Sequence, residues 1–356
     1  MKTKLVYVLT CSPEGTYIEQ ALMSIWSARY HNQDAWIVLI TDDRTNQLLV
    51  GKRGELLKYI SERIVIPFED DSLSMMYRSR WIKTQVRRFI EGPFLFIDCD
   101  TVCCGSLAKI DTFDCEVAAE DDDNVLFQLN VFKDSTTTVV AKLECDISQE
   151  EHYFSSGVLF CKDTPRVHRL YSLWHSYWKD AVRNNGVSID QPSLAKANIE
   201  SGHLIQPMPS VYNCVLYTQN SELRNAIILH VNLFDQTSFL FKKNALEIIK
   251  RDGIVPWLSY CLTNIHITYL PFDNEIQRST YKQRLEWIRG IAKAAKLYKR
   301  NVKSTFEEWS FRIGPESIVN LLFGLGLYFL GGFIWLEWRY NVVKNKELRS
   351  NICAIQ

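Results

Sequence analysis

Short apolar runs at 5–11, 35–41, 63–67 and 93–98 alternate along the first hundred residues with segments at 15–30, 44–60 and 72–91 whose apolar positions recur at helical spacing. Strand-length blocks alternating with helices predict repeated βα units feeding a largely parallel sheet flanked by helices, so the fold class is α/β. A nucleotide-binding domain fits this pattern best. The turn after the first strand, Thr10-Cys11-Ser12-Pro13-Glu14-Gly15, holds a single glycine. It matches neither the Gly-x-Gly-x-x-Gly fingerprint nor the Gly-Lys-Ser phosphate loop, which argues against dinucleotide enzymes and phosphate-loop ATPases. No repeat or low-complexity linker interrupts the chain before residue 275, so 1–275 is expected to fold as one domain.

Beyond that point the pattern changes. In the segment 276–312, Lys282, Arg284, Arg289, Lys293, Lys296, Lys299, Arg300 and Lys303 are interleaved with Leu285, Trp287, Ile288, Ile291 and Leu297. That spacing predicts a basic amphipathic helix, either a solvated helix packed on the domain or a membrane-surface helix. In 313–356, the stretch 318–336 is apolar residues and glycines broken by Asn320, close to the length that crosses a bilayer. Positive charge flanks it on both sides and four glycines lie within it, so a span and a re-entrant anchor are both open. A basic helix beside an apolar segment reads as attachment to an anionic membrane surface.

The chain has 356 residues, 47% of them hydrophobic, enough for a substantial core. Forty-one basic and forty-one acidic residues cancel, which argues against a protein that coats nucleic acid. Ten cysteines are scattered without a Cys-x-x-Cys pair, and Cys103-Cys104 has no spaced histidines to make a zinc cluster, so they read as reduced thiols. The apolar start Leu5–Leu9 is too short for a secretory signal, and the catalytic part is expected at the cytoplasmic face of the membrane, held there through the C-terminal region.

The run Phe94-Leu95-Phe96-Ile97 ends in Asp98-Cys99-Asp100-Thr101. In extended chain, side chains two apart share a side, so Asp98 and Asp100 can reach one cation while Cys99 faces the opposite layer. Such triplets also occur in solvated turns. The position at a strand's carboxyl end, where open α/β sheets bind ligands, favours the metal reading. Hard oxygen ligands suit magnesium or manganese, and an ion held by so few carboxylates completes its shell with substrate phosphates.

Downstream lie His152-Tyr153-Phe154-Ser155-Ser156-Gly157-Val158-Leu159-Phe160, a helix with Trp174, Tyr177 and Trp178, then Ser188-Ile189-Asp190-Gln191-Pro192, and later Ile227-Ile228-Leu229-His230. In this order and spacing, residues 4–240 resemble the retaining glycosyltransferases of the family 8 kind, with the GT-A nucleotide-sugar fold. The resemblance implies that Asp98, Asp100 and His230 hold one divalent ion, manganese rather than magnesium because of the imidazole. It implies a nucleotide-sugar donor, with uridine diphosphate as the handle. Thr10, Ser12 and Asp42 would contact base and ribose, and Arg80 and Lys83 the diphosphate or donor sugar. Asp98, Ser155 and Gly157 would line the donor pocket, and Asp190 and Gln191 would act near the anomeric carbon. Asp121, in the run Glu120-Asp121-Asp122-Asp123, is a candidate contact to sugar or acceptor; Tyr212 and Asn213 are candidates to line the acceptor side, a turn with a core tyrosine being the other reading. Two departures stand out: Ser155 where many relatives carry Asn, and His230-Val231-Asn232 without the usual His-x-x-Gly-x-x-Lys, Lys242 and Lys243 coming only later.

The expected activity is hexose transfer from a nucleotide sugar to a glycan or lipid-linked acceptor near the membrane, with retention implied by the resemblance. A sugar-phosphate nucleotidyltransferase would need a glycine-rich basic loop after the first strand, which is absent. A catalytically silent scaffold that binds a glycan or partner has no need of several carboxylates and an imidazole in one cleft.

Overall fold

The apolar blocks form strands whose alternation splits the core in two. The structure, a computed structural model, describes residues 1–215, 225–231, 243–254 and residue 259. In β1 (Lys4–Leu9), Leu5, Tyr7 and Leu9 face one layer, while Val6 and Val8 face the other. The same division runs through β2 (Ile37–Asp42) and β4 (Phe94–Ile97), all of whose residues are buried. Strands buried on both faces lack polar alternation, which is why these blocks read as continuous runs. On the first side α1 (Tyr17–His31) supplies Ile18, Leu22 and Ile25; on the second, α3 (Met75–Lys83), α6 (Pro165–Asn185) and α7 (Gln191–Glu200) supply Ile82, Trp174 and Leu194.

With β3 (Glu62–Ile66), β6 (Val117–Asp121), β7 (Phe154–Cys161) and β8 (Ile205–Pro207), the main sheet has the order β3-β2-β1-β4-β7-β6-β8. Pairing is parallel from β3 to β4 and between β6 and β8, and antiparallel where β7 meets β4 and β6. The architecture is mixed α/β with a mainly parallel sheet. A second small sheet pairs β5 (Thr101–Cys103) antiparallel with β10 (Ile228–His230), which lies parallel to β9 (Cys214–Val215). All of these lie in the unit Met1–Pro271. The predicted basic helix and the stretch 318–336 lie outside the described residues, among which no helix is long and apolar enough to cross a membrane.

Element bounds differ from the periodicity where backbone groups find other partners. The first strand stops at Leu9 rather than residue 11, because Thr10 donates its hydroxyl to Met75 O (3.2 Å) and Cys11 its N–H to Thr45 Oγ1 (2.8 Å). The segment 44–60 is α2 (Asp43–Leu48) followed by a 3₁₀ turn, Arg53–Lys58, separated at Gly51, whose φ of +56° suits glycine. The segment 72–91 divides into α3 and α4 (Val86–Phe89). Ser74 caps α3, accepting from Tyr77 N–H at 3.1 Å, and Thr84 closes it by donating back to Arg80 O at 2.9 Å. α6 begins with Thr164 as cap and Pro165 in its first turn and ends on Gly186 at φ +65°. Between β6 and β7 lies α5 (Lys133–Ala141), and α8 (Lys243–Asp252) follows β10.

α3 is pinned to α6 by a titratable contact. His175 is partly buried, its Nδ1 2.8 Å from Thr84 Oγ1 and its ring edge-on to Trp81. Burial, reinforced by Lys179 and Arg88, pushes it down to about 4 from the ordinary 6.5. The unfolded chain therefore binds the extra proton first, so stability from this contact is complete above the unfolded value and is lost as pH falls from about 6.5 to about 4. Glu120 and Asp122, pushed up by burial to about 7 and about 6, act with the opposite sign. Comparison with His175→Gln isolates the histidine. Between pH 7 and pH 4 the native chain should lose about 2 kcal/mol more than the variant, discounted for partial exposure, as read by urea midpoints. An equal loss in both chains would refute the role given to His175.

Candidate active site

Strand β4 carries the first two candidate metal ligands to its tip. Leu95, Ile97 and Cys99 lie in one core layer, and Asp98 and Asp100 alternate away from them, as period two requires. The Asp98–Thr101 turn is set by Asp98 N–H donating to Gly157 O (2.8 Å) and Thr101 Oγ1 donating to Asp98 O (2.9 Å). Beyond it β5 pairs with β10 so that Thr101 stands opposite His230, and Val231 N–H donates to Asp100 O at 2.9 Å. The sheet pairing thereby brings His230 to the carboxylates. One ligand atom from each of Asp98, Asp100 and His230 falls within 4.8 Å of the others.

Gly157 of β7 backs this cluster. A Cβ there would lie 2.5 Å from His230 Cε1, 3.1 Å from Nδ1 and 3.2 Å from Asp98 Oδ2. The imidazole occupies the space a side chain would fill. Two carboxylates and one imidazole, with 13–26% of each side chain exposed, form a donor set that fits a divalent transition metal. Burial raises the Asp98 carboxyl above its usual range, with Lys83 partly opposing. At Asp100 burial is outweighed by His230, and the carboxyl is lowered. Burial would lower His230, but Asp100 and Asp98 together outweigh it, and the imidazole is raised.

A second cluster adjoins the first. Arg80 and Lys83, a turn apart on α3, share a face as their spacing implies. Arg80 Nε lies 2.8 Å from Asp190 Oδ1; Lys83 Nζ lies 3.4 Å from Asp190 Oδ2 and 3.1 Å from Asp98 Oδ2. Lys83 also donates to Ser156 Oγ (3.2 Å) and sits 5.0 Å above the Phe96 ring. Burial would push Asp190 up, but Lys83 and Arg80 hold it down at about 2, so it is an anion at neutral pH. The tryptophans of α6 place it: Trp174 Nε1–H donates to Asp190 O (2.9 Å) and Trp178 Nε1–H to Ser188 O (3.1 Å). Gln191 opens α7 and hydrogen-bonds the Asp122 carboxyl, which burial pushes up to about 6.

The remaining predicted residues are placed as follows. Ser155 is buried, its hydroxyl accepting from Gly157 N–H at 3.3 Å. Thr10 is buried beside the start of α3, and Ser12 is exposed, its hydroxyl accepting from Gly15 N–H at 3.1 Å. Asp42 is fully buried, capping α2 through Thr45 N–H (2.8 Å) and ion-paired with Arg78. Its carboxylate serves the fold beside the first-strand loop. Asp121 is engaged by His152 Nδ1 (2.9 Å) and Tyr153 N–H (3.2 Å), and it is the neighbouring Asp122 that meets Gln191. Tyr212 packs in the core against Phe113, and Asn213 is buried with its Oδ1 2.9 Å from His230 Nδ1. Lys242 lies outside the described residues, as does the side chain of Lys243.

Two residues of this region, Ser156 and Asp122, are not singled out by the sequence pattern. Within the run of four acids local alternation does not choose, because the register of β6 against β7 shifts between Ala119 and Asp121. The role of Ser156 comes from the packing of α3 over β7, which brings Lys83 to its hydroxyl.

No protein-family model matches the chain, and neither does any curated protein. Among solved structures, the chain is similar to mouse xyloside xylosyltransferase 1 in its apo form at 12% identity, covering 65% of this chain and 98% of that one with a TM-score of 0.45. It is similar to the galactosyltransferase LgtC, solved in complex with donor and acceptor sugar analogues, at 13% identity over 71% and 98% with a TM-score of 0.45. A third likeness is to the glycosyltransferase GlyE of Streptococcus pneumoniae TIGR4, at 15% identity over 75% and 64% with a TM-score of 0.45.

Proposed function

We propose that the protein is a metal-dependent glycosyltransferase that moves a hexose from a nucleotide sugar, a uridine diphosphate sugar first among them, to a glycan or lipid-linked acceptor. The observation that carries this reading is the meeting of Asp98, Asp100 and His230 beside an ionised Asp190 braced by Arg80 and Lys83. Asp98, Asp100 and His230 would hold manganese, or magnesium in its place. When bound, the ion supplies Lewis-acid stabilisation of charge developing on a leaving diphosphate. Arg80 and Lys83 add fixed positive charge on the same side, where a diphosphate is favoured over a neutral ligand. Asp190, kept anionic, is suited to accept hydrogen bonds from sugar hydroxyls, and Gln191 offers an amide next to it. Gly157 gives the ring and carboxylates the room to converge.

Retention of anomeric configuration, the GT-A fold family and placement at the cytoplasmic face of a membrane belong to this proposal. The membrane part rests on the basic segment 276–312 and the apolar stretch 318–336, since an enzyme tethered to the surface that carries a lipid-borne acceptor meets it at raised effective concentration.

The test is release of nucleoside diphosphate from a panel of uridine and guanosine diphosphate sugars, with and without Mn²⁺, by the native chain and Asp100→Ala. Manganese-dependent release from a uridine diphosphate sugar, reduced on the order of 10²-fold or more in the variant, is the expected result. Turnover that ignores both metal and substitution would exclude the centre described. Absence of turnover together with failure of Mn²⁺ to tighten uridine diphosphate binding would favour a silent scaffold.

A further inference from the structure

The His230 ring is engaged at both nitrogens. Nε2 lies 3.3 Å from Asp100 Oδ1, on the side of the carboxylates, and Nδ1 lies 2.9 Å from Asn213 Oδ1. Asn213 immediately precedes β9, the parallel neighbour of β10, and is wholly shielded from solvent. A carbonyl oxygen can only accept, so Nδ1 carries the proton and the Nε2 lone pair is the one left to face a cation. With the tautomer reversed, Nε2–H would point at the carboxylates and the ring could not serve as a ligand. We infer that Asn213 is a positioning residue that fixes the tautomer and orientation of His230 and thereby sets the divalent-cation affinity of the Asp98, Asp100, His230 set, an inference that rests on the metal-centre reading above.

Three further observations support the assignment. Asn213 is itself clamped: its carbonyl accepts from Asn124 Nδ2 (2.8 Å), and Asn124 Oδ1 accepts from Val215 N–H (2.7 Å). Asn124 lies at φ 56° in the turn after β6 that also carries Asp122, so the backbone that carries the Asn213 side chain is held by that turn. The Asn213 amide nitrogen is buried and meets no hydrogen-bond partner among the described residues. A buried unmet donor opposes folding, and an apolar residue of similar size would avoid that cost, so packing alone gives no reason for an amide here. Finally, Gly157 leaves the ring snug against β7, so its edge is held by contact while Asn213 selects which nitrogen bears the proton. Outer partners of this kind orient metal-ligating histidines and raise their basicity.

The test uses the full chain, labelled with ¹⁵N at histidine and free of metal. The native protein should show a slowly exchanging, hydrogen-bonded Nδ1–H signal that His230→Asn removes. Asn213→Leu, close in size but without an acceptor, should lose it; Asn213→Asp, which keeps an acceptor at the same place, should retain it. In parallel, Mn²⁺ titration followed by electron paramagnetic resonance should show Kd weakened about 10- to 100-fold in Asn213→Leu and held within a few-fold in Asn213→Asp. Asn213→Ala, which leaves space rather than bulk, replaces the leucine variant if that chain does not fold. An intact Nδ1–H signal or unchanged Mn²⁺ affinity in the acceptor-free variants would overturn the inference. A native chain that binds no Mn²⁺ would instead overturn the metal-centre reading and the affinity part with it, the proton signal alone then deciding whether Asn213 holds the ring.

Discussion

Gly157→Ala is expected to weaken Mn²⁺ binding and to cut sugar-transfer kcat/KM on the order of 10²-fold or more, while the protein stays folded. The added methyl would sit 2.5 Å from His230 Cε1 and 3.2 Å from Asp98 Oδ2, so either the ring or the strand must move. The ring has little freedom, since Asn213 and Asp100 engage its two nitrogens. β7 has less, being paired on both edges by β4 and β6 and buried along its length. The displacement therefore falls on the ligand set, where a shift of an ångström is enough to spoil coordination. Overpacking of this kind costs about 1–3 kcal/mol in stability, small beside the loss of function. Manganese titration and steady-state kinetics, with a thermal midpoint as control, provide the check. Native-like affinity and rate would mean that His230 does not need the space Gly157 leaves.

Lys83→Met should be the most destabilising single substitution within the site. The Lys83 side chain is 3% exposed, and its ammonium lies within 3.4 Å of carboxylate oxygens on both Asp98 and Asp190, with Ser156 as a third partner. Methionine fits the volume over the Phe96 ring but leaves two acids without the cation between them. Removing one partner of a buried ion pair costs several kcal/mol because the remaining charge is uncompensated. Arg80 still serves Asp190, and Asp98 is about a quarter exposed, so a loss of about 3 kcal/mol at pH 7 is expected. The pH dependence follows from Asp190. Its carboxyl is lowered in the fold from 3.8 to about 2, so its stabilising contribution is complete above the unfolded value and is lost as pH falls through that window. The gap between native and variant should accordingly narrow below about pH 4, as read by urea midpoints. A gap that is small at pH 7, or that widens in acid, would contradict the bridging role.

Much of the site was legible in the chain because its residues sit at strand ends and helix starts, where local pattern speaks. The apolar run before Asp98 announced a buried strand, and period two predicted that Asp98 and Asp100 would share a side away from Cys99, as they do. The spacing of Arg80 and Lys83 put them on one helical face, and both reach Asp190. Asp42 shows the limit of that reasoning. A carboxylate after a strand signals a ligand contact and a helix cap equally well, and only the placement of Arg78 on α3 shows it capping α2 within an ion pair.

By itself, then, the sequence determined the α/β class, the strands of the first half, and which residues stand at the carboxyl ends of those strands. These are properties of alternation and of the turns that end it, encoded within a few residues. Tertiary structure alone decided which strand ends meet. The pairing of β5 with β10, more than a hundred residues apart, brings His230 to Asp100. It also decided that Asn213, behind β9, faces the histidine rather than an open surface. Long-range register depends on how whole strands pack and where one bulges, and no local periodicity records that.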